Sequence, residues 1–222
     1  MKNVLLFLVL FSLFLFNACK KDDSNPLTPV PASITYAGKT YNTVQIGNQI
    51  WLKENLNVGT MINSTAGGFQ QTNSYIIEKY CYDNNPANCD TFGGLYEWPE
   101  AMQYVTTPGT QGICPTGWHI PTRAEFEALK AAVNNDSKSL KSIGQGTGSG
   151  VGTNTSGFSA LLSGYRDTGS SLSGLGYATH FWSSSEFSSN DAVSLGLSYD
   201  DSLIGLPNYL KEYGNSIRCV KD

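Results

Sequence analysis

The chain has 222 residues, with 14 Lys and Arg against 18 Asp and Glu, a formal net charge of −4 and only 14% charged side chains. That balance excludes electrostatic capture of nucleic acid, which needs a basic footprint. The length suits one large domain once a leader and a linker are set aside. A composition with 23 Gly and 12 Tyr and few charges suits an extracellular β-rich domain with long ordered loops.

An apolar run over residues 4–16 follows a single Lys2 and ends in Phe16-Asn17-Ala18-Cys19. It is shorter than the roughly 20 helical residues needed to cross a hydrocarbon core, so it reads as a removable leader. A small residue followed by cysteine looks like a bacterial lipoprotein signal, although Asn17 departs from the usual small or apolar residue. The expectation is cleavage before Cys19, lipid on its sulfur, and anchorage in the outer membrane facing the cell exterior. Lys20-Lys21-Asp22-Asp23 resembles the charged tags that route such lipoproteins to the surface in Bacteroidota. Pro26, Pro29 and Pro31 then make a stiff, extended spacer. Residues 1–18 are thus the signal, residues 19–33 the acylated cysteine and tether, and residues 34–222 the domain. Loss of the leader removes Lys2 and takes the net charge from −4 to −5.

The domain opens with two β-prone runs, residues 41–46 and 49–52, separated by Gly47-Asn48, which predicts a hairpin with a tight primed turn. Residues 97–105 give a short helical patch with Trp98, Ala101, Met102 and Val105 on one face. Thr122-Arg123-Ala124-Glu125 is a capping box, and Phe126, Leu129 and Val133 continue it as an apolar stripe. Residues 144–157 are rich in glycine but lack a preceding strand and a following lysine or capped helix, so they form a flexible connection, not a phosphate cradle. Short strands are expected at 158–162, 180–184, 192–199 and 216–220; Val193, Leu195 and Leu197 alternate with Ser194, Gly196 and Ser198. Many short, mostly antiparallel strands with one or two helices define a single compact α+β domain.

With Cys19 assigned to lipid, Cys81, Cys89, Cys114 and Cys219 remain, an even number that suits disulfides in an oxidising compartment. Of the three pairings, Cys81 with Cys89 and Cys114 with Cys219 is favoured, because Asn84-Asn85-Pro86 can turn the short loop. A zinc site competes poorly, since no Cys-x-x-Cys spacing occurs and only His119 and His180 could assist.

Five blocks in order resemble one family. They are residues 44–56, running Val-Gln-Ile-Gly-Asn-Gln-Ile-Trp-Leu-Lys-Glu-Asn-Leu; Tyr80-Cys81-Tyr82-Asp83-Asn84 leading to Phe92-Gly93-Gly94-Leu95-Tyr96-Glu97-Trp98; and Cys114-Pro115-Thr116-Gly117-Trp118-His119-Ile120-Pro121-Thr122. Phe181-Trp182-Ser183-Ser184-Ser185-Glu186 and Gly214-Asn215-Ser216-Ile217-Arg218-Cys219-Val220 complete the set. Together they resemble the Fibrobacter succinogenes major paralogous domain of exported bacterial proteins. Residues 118–129 and 217–220 are also similar to the C-type-lectin-like fold of sulfatase-modifying-factor proteins. That likeness implies a disulfide-tied scaffold carrying irregular binding loops.

Catalytic signatures are sparse. Only Cys219 lies in the last hundred residues, so the paired cysteines of formylglycine-generating relatives are missing, and no Gly-x-Ser-x-Gly elbow occurs. Glu97 and Glu186 are the carboxylate pair of an alternative, glycan-active reading. Asp83 and Asp90, with Asn84 and Asn85, form the oxygen-rich loop that is the candidate calcium site. Asp201-Ser202-Leu203 resembles a short O-glycosylation acceptor. The expected ligand-binding residues are Trp182, Asp191, Tyr199, Asp200, Asp201, Tyr209 and Tyr213, because rigid aromatics set among Ser and Asn supply contact area and adaptable hydrogen bonds. The function expected is non-catalytic binding or adhesion to an extracellular glycan or protein. The alternatives are a glycan-active or sulfatase-maturation-like enzyme and a structural envelope or fibre component.

Overall fold

Residues 31–65 and 67–222 are described in the structure, a computed structural model; the signal, Cys19 and its lipidation lie outside the described residues. Ser33–Tyr36 (β1) turns through Ala37 and Gly38, both at positive φ, into Lys39–Ile46 (β2). Gly47 takes φ 59°, the left-handed backbone a tight hairpin demands of its first central residue. The chain returns as Gln49–Leu52 (β3), with Ile46 opposite Gln49 and Val44 opposite Trp51, as the Gly-Asn spacing predicts. The backbone carbonyl of Ala32 already accepts from the Thr43 N–H, so the chain is engaged with the sheet from the end of the proline spacer.

Thr60–Met61 (β4) and Glu78–Lys79 (β5) make a small parallel pair. Pro86–Phe92 (α1) begins with proline at its first turn and with the Asn85 side chain accepting from the Ala87 N–H. Trp98–Ala101 (α2) is shorter than the 97–105 patch expected, because Gln103 and Tyr104 swing to positive φ. Trp98, Ala101 and Met102 are buried, but Val105 is left exposed. Trp118–His119 (β6) leads to Arg123–Ala132 (α3), where the Thr122 hydroxyl accepts from the Glu125 N–H and the Glu125 carboxylate accepts in return from the Thr122 N–H. Phe126, Leu129 and Val133 are buried as their spacing requires. Ser137–Leu140 (α4) brings the α-helices among the described residues to four, more than the one or two expected; the additional ones are single turns or carry side-chain caps rather than a long apolar stripe.

The remaining strands are Ser163–Arg166 (β7), Leu172–Leu175 (β8), Ala178–Glu186 (β9), Asp191–Ser198 (β10), Asn208–Leu210 (β11) and Val220–Lys221 (β12). One sheet has the order β1-β2-β3-β12-β6 and is antiparallel throughout; the other has the order β11-β10-β9-β7-β8, antiparallel except where β7 meets β9. The chain is therefore α+β and β-rich. The strand expected at 158–162 is a single bridge at Ala160. Most of 216–220 pairs only through isolated contacts such as Ser216 with Phe181. Ser194 is buried along with its apolar neighbours, so β10 is covered on both faces instead of alternating in and out.

Two apolar clusters hold the sheets. One gathers Tyr41, Leu52, Trp98, Trp118, Trp182 and Ile217 beside the Cys114–Cys219 disulfide. The other is aromatic: Trp51 stacks on Phe126 at 5.9 Å, Phe158 meets Trp51 edge-on at 5.7 Å, and Phe181 meets Phe158 at 5.9 Å. Edge and offset-stacked arrangements add to the burial energy of such rings. Cys81 is bonded to Cys89 and Cys114 to Cys219, the pairing favoured from the sequence. The glycine-rich segment 144–157 is a close-packed connection, where a flexible one was expected. A Cβ at Gly146 or Gly150 would lie 2.5 or 2.3 Å from the Tyr199 carbonyl oxygen, and the Thr147 N–H donates to that same oxygen at 2.7 Å. Glycine is needed there for close approach of two backbones.

Candidate functional site

Antiparallel register between β9 and β10 sets Gly196 directly opposite His180. A Cβ on Gly196 would stand 3.1 Å from His180 Nδ1, so the missing side chain is the space the imidazole occupies. Strand β7, parallel to β9, brings Tyr165 to the other side of the ring, with centroids 5.3 Å apart. Tyr209 on β11 lies 4.6 Å from His180, and Tyr213 closes the group at 5.1 Å from Tyr209 and 6.1 Å from Tyr165. Four rings from four segments thus form one continuous aromatic face.

His180 is the polar centre of that face. The Tyr209 hydroxyl and Nε2 are 3.3 Å apart, while Nδ1 is buried with no hydrogen-bond partner among the described residues. Burial pulls the imidazole down to about 4, so it is neutral at physiological pH. Whichever of Nε2 and Tyr209 Oη gives the proton, Nδ1 is left as an orphan donor or acceptor, which is costly in a low-dielectric site.

The groove over Tyr165, His180 and Tyr209 has a volume of about 610 Å³ and is also lined by Ala178, Ser198, Asp201, Leu203 and Pro207; Tyr213 backs the rings without lining it. Its rim is tied down from below. Lys141 Nζ donates to the carbonyls of Ser198 at 2.6 Å and Asp201 at 2.9 Å, and Gly196 and Gly205 exchange backbone hydrogen bonds. Burial lowers the Lys141 ammonium, with the nearby Asp201 carboxylate opposing the shift.

The seven residues expected to bind ligand separate into groups. Tyr209 and Tyr213 belong to the aromatic face and Asp201 to its rim. Tyr199 stacks edge-on against Tyr177, centroids 5.0 Å apart, and Tyr177 is exposed. Asp200 accepts from the Ser198 hydroxyl. Asp191 fixes the β9–β10 turn by accepting from Ser188 Oγ. Trp182 is a core residue: it is fully buried and its indole N–H donates to the Tyr96 carbonyl at 2.8 Å. Tyr165 and His180 were not among the expected binding residues. His180 reads from the sequence only as a poor metal ligand, and Gly196, which sits opposite it, is the signal the sequence carries.

Glu97 and Glu186 are taken up by different cations. The Glu97 carboxylate is fully buried; it accepts from Tyr80 Oη at 2.6 Å and from the Gln70 and Gln71 N–H groups, with Arg166 Nη1 at 3.5 Å. Burial raises its proton affinity, and the Tyr80 and backbone hydrogen bonds oppose that. Glu186 pairs with Lys211, whose ammonium lies 4.6 Å from the Trp98 ring centroid. Asp90 pairs with Lys39 at 2.6 Å, and no group of three or more His, Cys, Asp or Glu is gathered for a metal among the described residues. His119, named from the sequence as a possible zinc ligand, bridges Glu125 at 2.8 Å and Asp222 at 2.6 Å.

These features define a disulfide-tied α+β domain with an aromatic groove on its second sheet. The chain belongs to the Fibrobacter succinogenes major domain family, whose profile matches residues 44–221. Neither a curated protein nor a solved structure matches it. Among the described residues no helix is long and apolar enough to cross a membrane.

Proposed function

We propose that this chain is a lipid-anchored, surface-exposed binding protein whose domain holds an extracellular glycan on the aromatic face of Tyr165, His180, Tyr209 and Tyr213. The observation that carries this reading is the buried, unpartnered Nδ1 of His180 at the centre of a partly exposed ring cluster. Sugar rings offer apolar C–H faces that stack on tyrosine, and their hydroxyls both donate and accept, so they match an orphan nitrogen in either tautomer. Short strands and two disulfides that support long loops are what a C-type-lectin-like reading of this domain would call for. Anchorage at Cys19 would place the groove outside the cell.

A glycan array with the purified protein, followed by calorimetry on the hits, tests the reading. Tyr209→Ala should weaken binding of any hit at least about tenfold, the scale of losing a buried aromatic contact. Tyr75→Ala, which alters a fully exposed ring elsewhere, should not. Retention of no glycan, or equal affinity in the Tyr209 variant, would remove the groove from consideration.

A further inference from the structure

A second cavity, sharing no lining residue with the aromatic groove, is built around a buried cation that makes no direct ion pair among the described residues. Arg218 is 1% exposed. Its Nε and Nη2 donate to Asn55 Oδ1 at 3.2 and 2.6 Å, and its Nη1 donates to the carbonyls of Leu52 at 3.2 Å and Phe158 at 2.6 Å. Its guanidinium carbon lies 4.4 Å from the Phe158 ring centroid and 5.3 Å from that of Phe181. All of these partners are neutral, and no carboxylate pairs with Arg218 among the described residues. Four of the five N–H donors are accounted for, so one on Nη2 is left over.

The approach of α1 to β3 shapes this floor. Gly93, at φ 83°, ends α1 so close that a Cβ would lie 2.5 Å from Asn55 Cβ. The Asn55 amide N–H groups donate to the Phe92 carbonyl and the Ser216 hydroxyl, which turns Oδ1 toward Arg218. The walls bring two lysines and two carboxylates, and the carboxylates are committed. Asp90 is paired with Lys39, and Glu54 accepts from the Asn42 backbone and side-chain N–H groups. Lys53 is half-buried on the same wall; its backbone N–H donates to the Asn42 carbonyl, while its ammonium has no hydrogen bond or ion pair among the described residues. The Glu54 carboxylate favours the Arg218 cation from a distance, but neither Arg218 nor Lys53 has a carboxylate at ion-pair distance among the described residues, and three cations against two carboxylates leave the cavity with a net positive charge.

We infer that this cavity binds a small anionic molecule, carrying a carboxylate or sulfate group, between Arg218 and Lys53. Its volume of about 250 Å³ lies just below the range of about 300–1,000 Å³ usual for small-molecule sites, which suits a ligand about the size of one acidic sugar ring. Guanidinium forks match planar carboxylates and sulfates. Thr91, Ser142 and Thr40 put hydroxyl-bearing residues around the anion. This inference stands apart from the aromatic groove and does not require it.

Calorimetric titration of the purified protein with sodium glucuronate, sodium sulfate and glucose at matched ionic strength provides the test. Glucuronate or sulfate should bind at one site, weaken with added sodium chloride, and lose at least about tenfold in affinity in Lys53→Glu, the scale of one charged hydrogen bond. Glucose should not bind there. Lys53 is used because Arg218 variants endanger the fold, and Tyr209→Ala should leave anion affinity unchanged. Heat from neither anion, equal binding of glucose, or affinity indifferent to Lys53→Glu would overturn the inference. So would loss of the anion in Tyr209→Ala, which would place it in the groove.

Discussion

Removing each disulfide separately should cost very different amounts. Cys114 and Cys219 are 105 residues apart in sequence, Cys81 and Cys89 only 8. In the chain-entropy account a crosslink removes denatured-state freedom that grows with the logarithm of the loop. This gives about 4.8 kcal/mol for the long loop and about 2.5 kcal/mol for the short one at 25 °C. Paired alanine replacements are the right perturbation, because serine would put new hydroxyls into sites where all four sulfurs are buried. Thermal and guanidinium unfolding followed by tryptophan fluorescence suit the measurement, since Trp51, Trp98, Trp118 and Trp182 are all buried. Cys114→Ala with Cys219→Ala should lower Tm by about 10–20 °C, and Cys81→Ala with Cys89→Ala by about half as much. The denaturant slope should rise more for the long-loop variant, because its unfolded chain expands further. An equal or larger loss from the short-loop pair would refute loop closure as the main contribution.

Thr122→Ala should destabilise by about 1 kcal/mol in the same unfolding assay, because α3 loses the hydroxyl that accepts from the Glu125 N–H. Gly150→Ala should cost about 1–3 kcal/mol, since its Cβ would press 2.3 Å from the Tyr199 carbonyl oxygen; Ala at Gly38, where nothing lies within 4 Å, meets only the strain of φ 78°. The His119 clamp sets a pH dependence. The Glu125 hydrogen bond raises the imidazole above its ordinary value of about 6.5, with burial opposing and Asp222 assisting. Its stabilisation is thus complete below pH of about 6.5 and is lost as pH rises through the folded value. Glu125 is held low despite the burial that favours its acid form, because His119 and Thr122 donate to it. Its share appears above pH of about 4.3 and is lost on acidification. Urea midpoints should therefore fall between pH 6 and 8.5 in the native protein and be flatter over that range in His119→Gln; an identical slope in the variant would remove the clamp as the cause.

Local signals were the readable ones. The Gly47-Asn48 turn, the Thr122 capping box and the stripe of Phe126, Leu129 and Val133 each specify their structure within a few residues, and each formed as its chemistry requires. Disulfide pairing followed from one short turn and the parity of the cysteines. Placement that depends on distant chain was not readable. Ser194 looks like the solvent side of an alternating strand, yet β11 and the segment at Pro207 cover it. The glycines of 144–157 look like slack until Tyr199 is found against them. Tyr209 and Tyr213 could be named from composition, but their convergence on His180 needs the β9–β10 register and the parallel arrival of β7. The cavity at Arg218 combines residues from 39 to 218, and no window of sequence spans it.

The first sheet carries a consequence for biogenesis. Val220 occupies the slot between Trp51 and His119, and the Leu52 N–H donates to the Cys219 carbonyl. The interior of that sheet is therefore unfinished until a stretch made some 170 residues after β3 has left the ribosome, and pairings of such long range are slow to close. A growing polypeptide cannot close this sheet until almost its whole length has been made. A chain stopped even a few residues before 220 would lack the strand that joins Trp51 to His119, leaving β3 and β6 unconnected at the centre of the sheet.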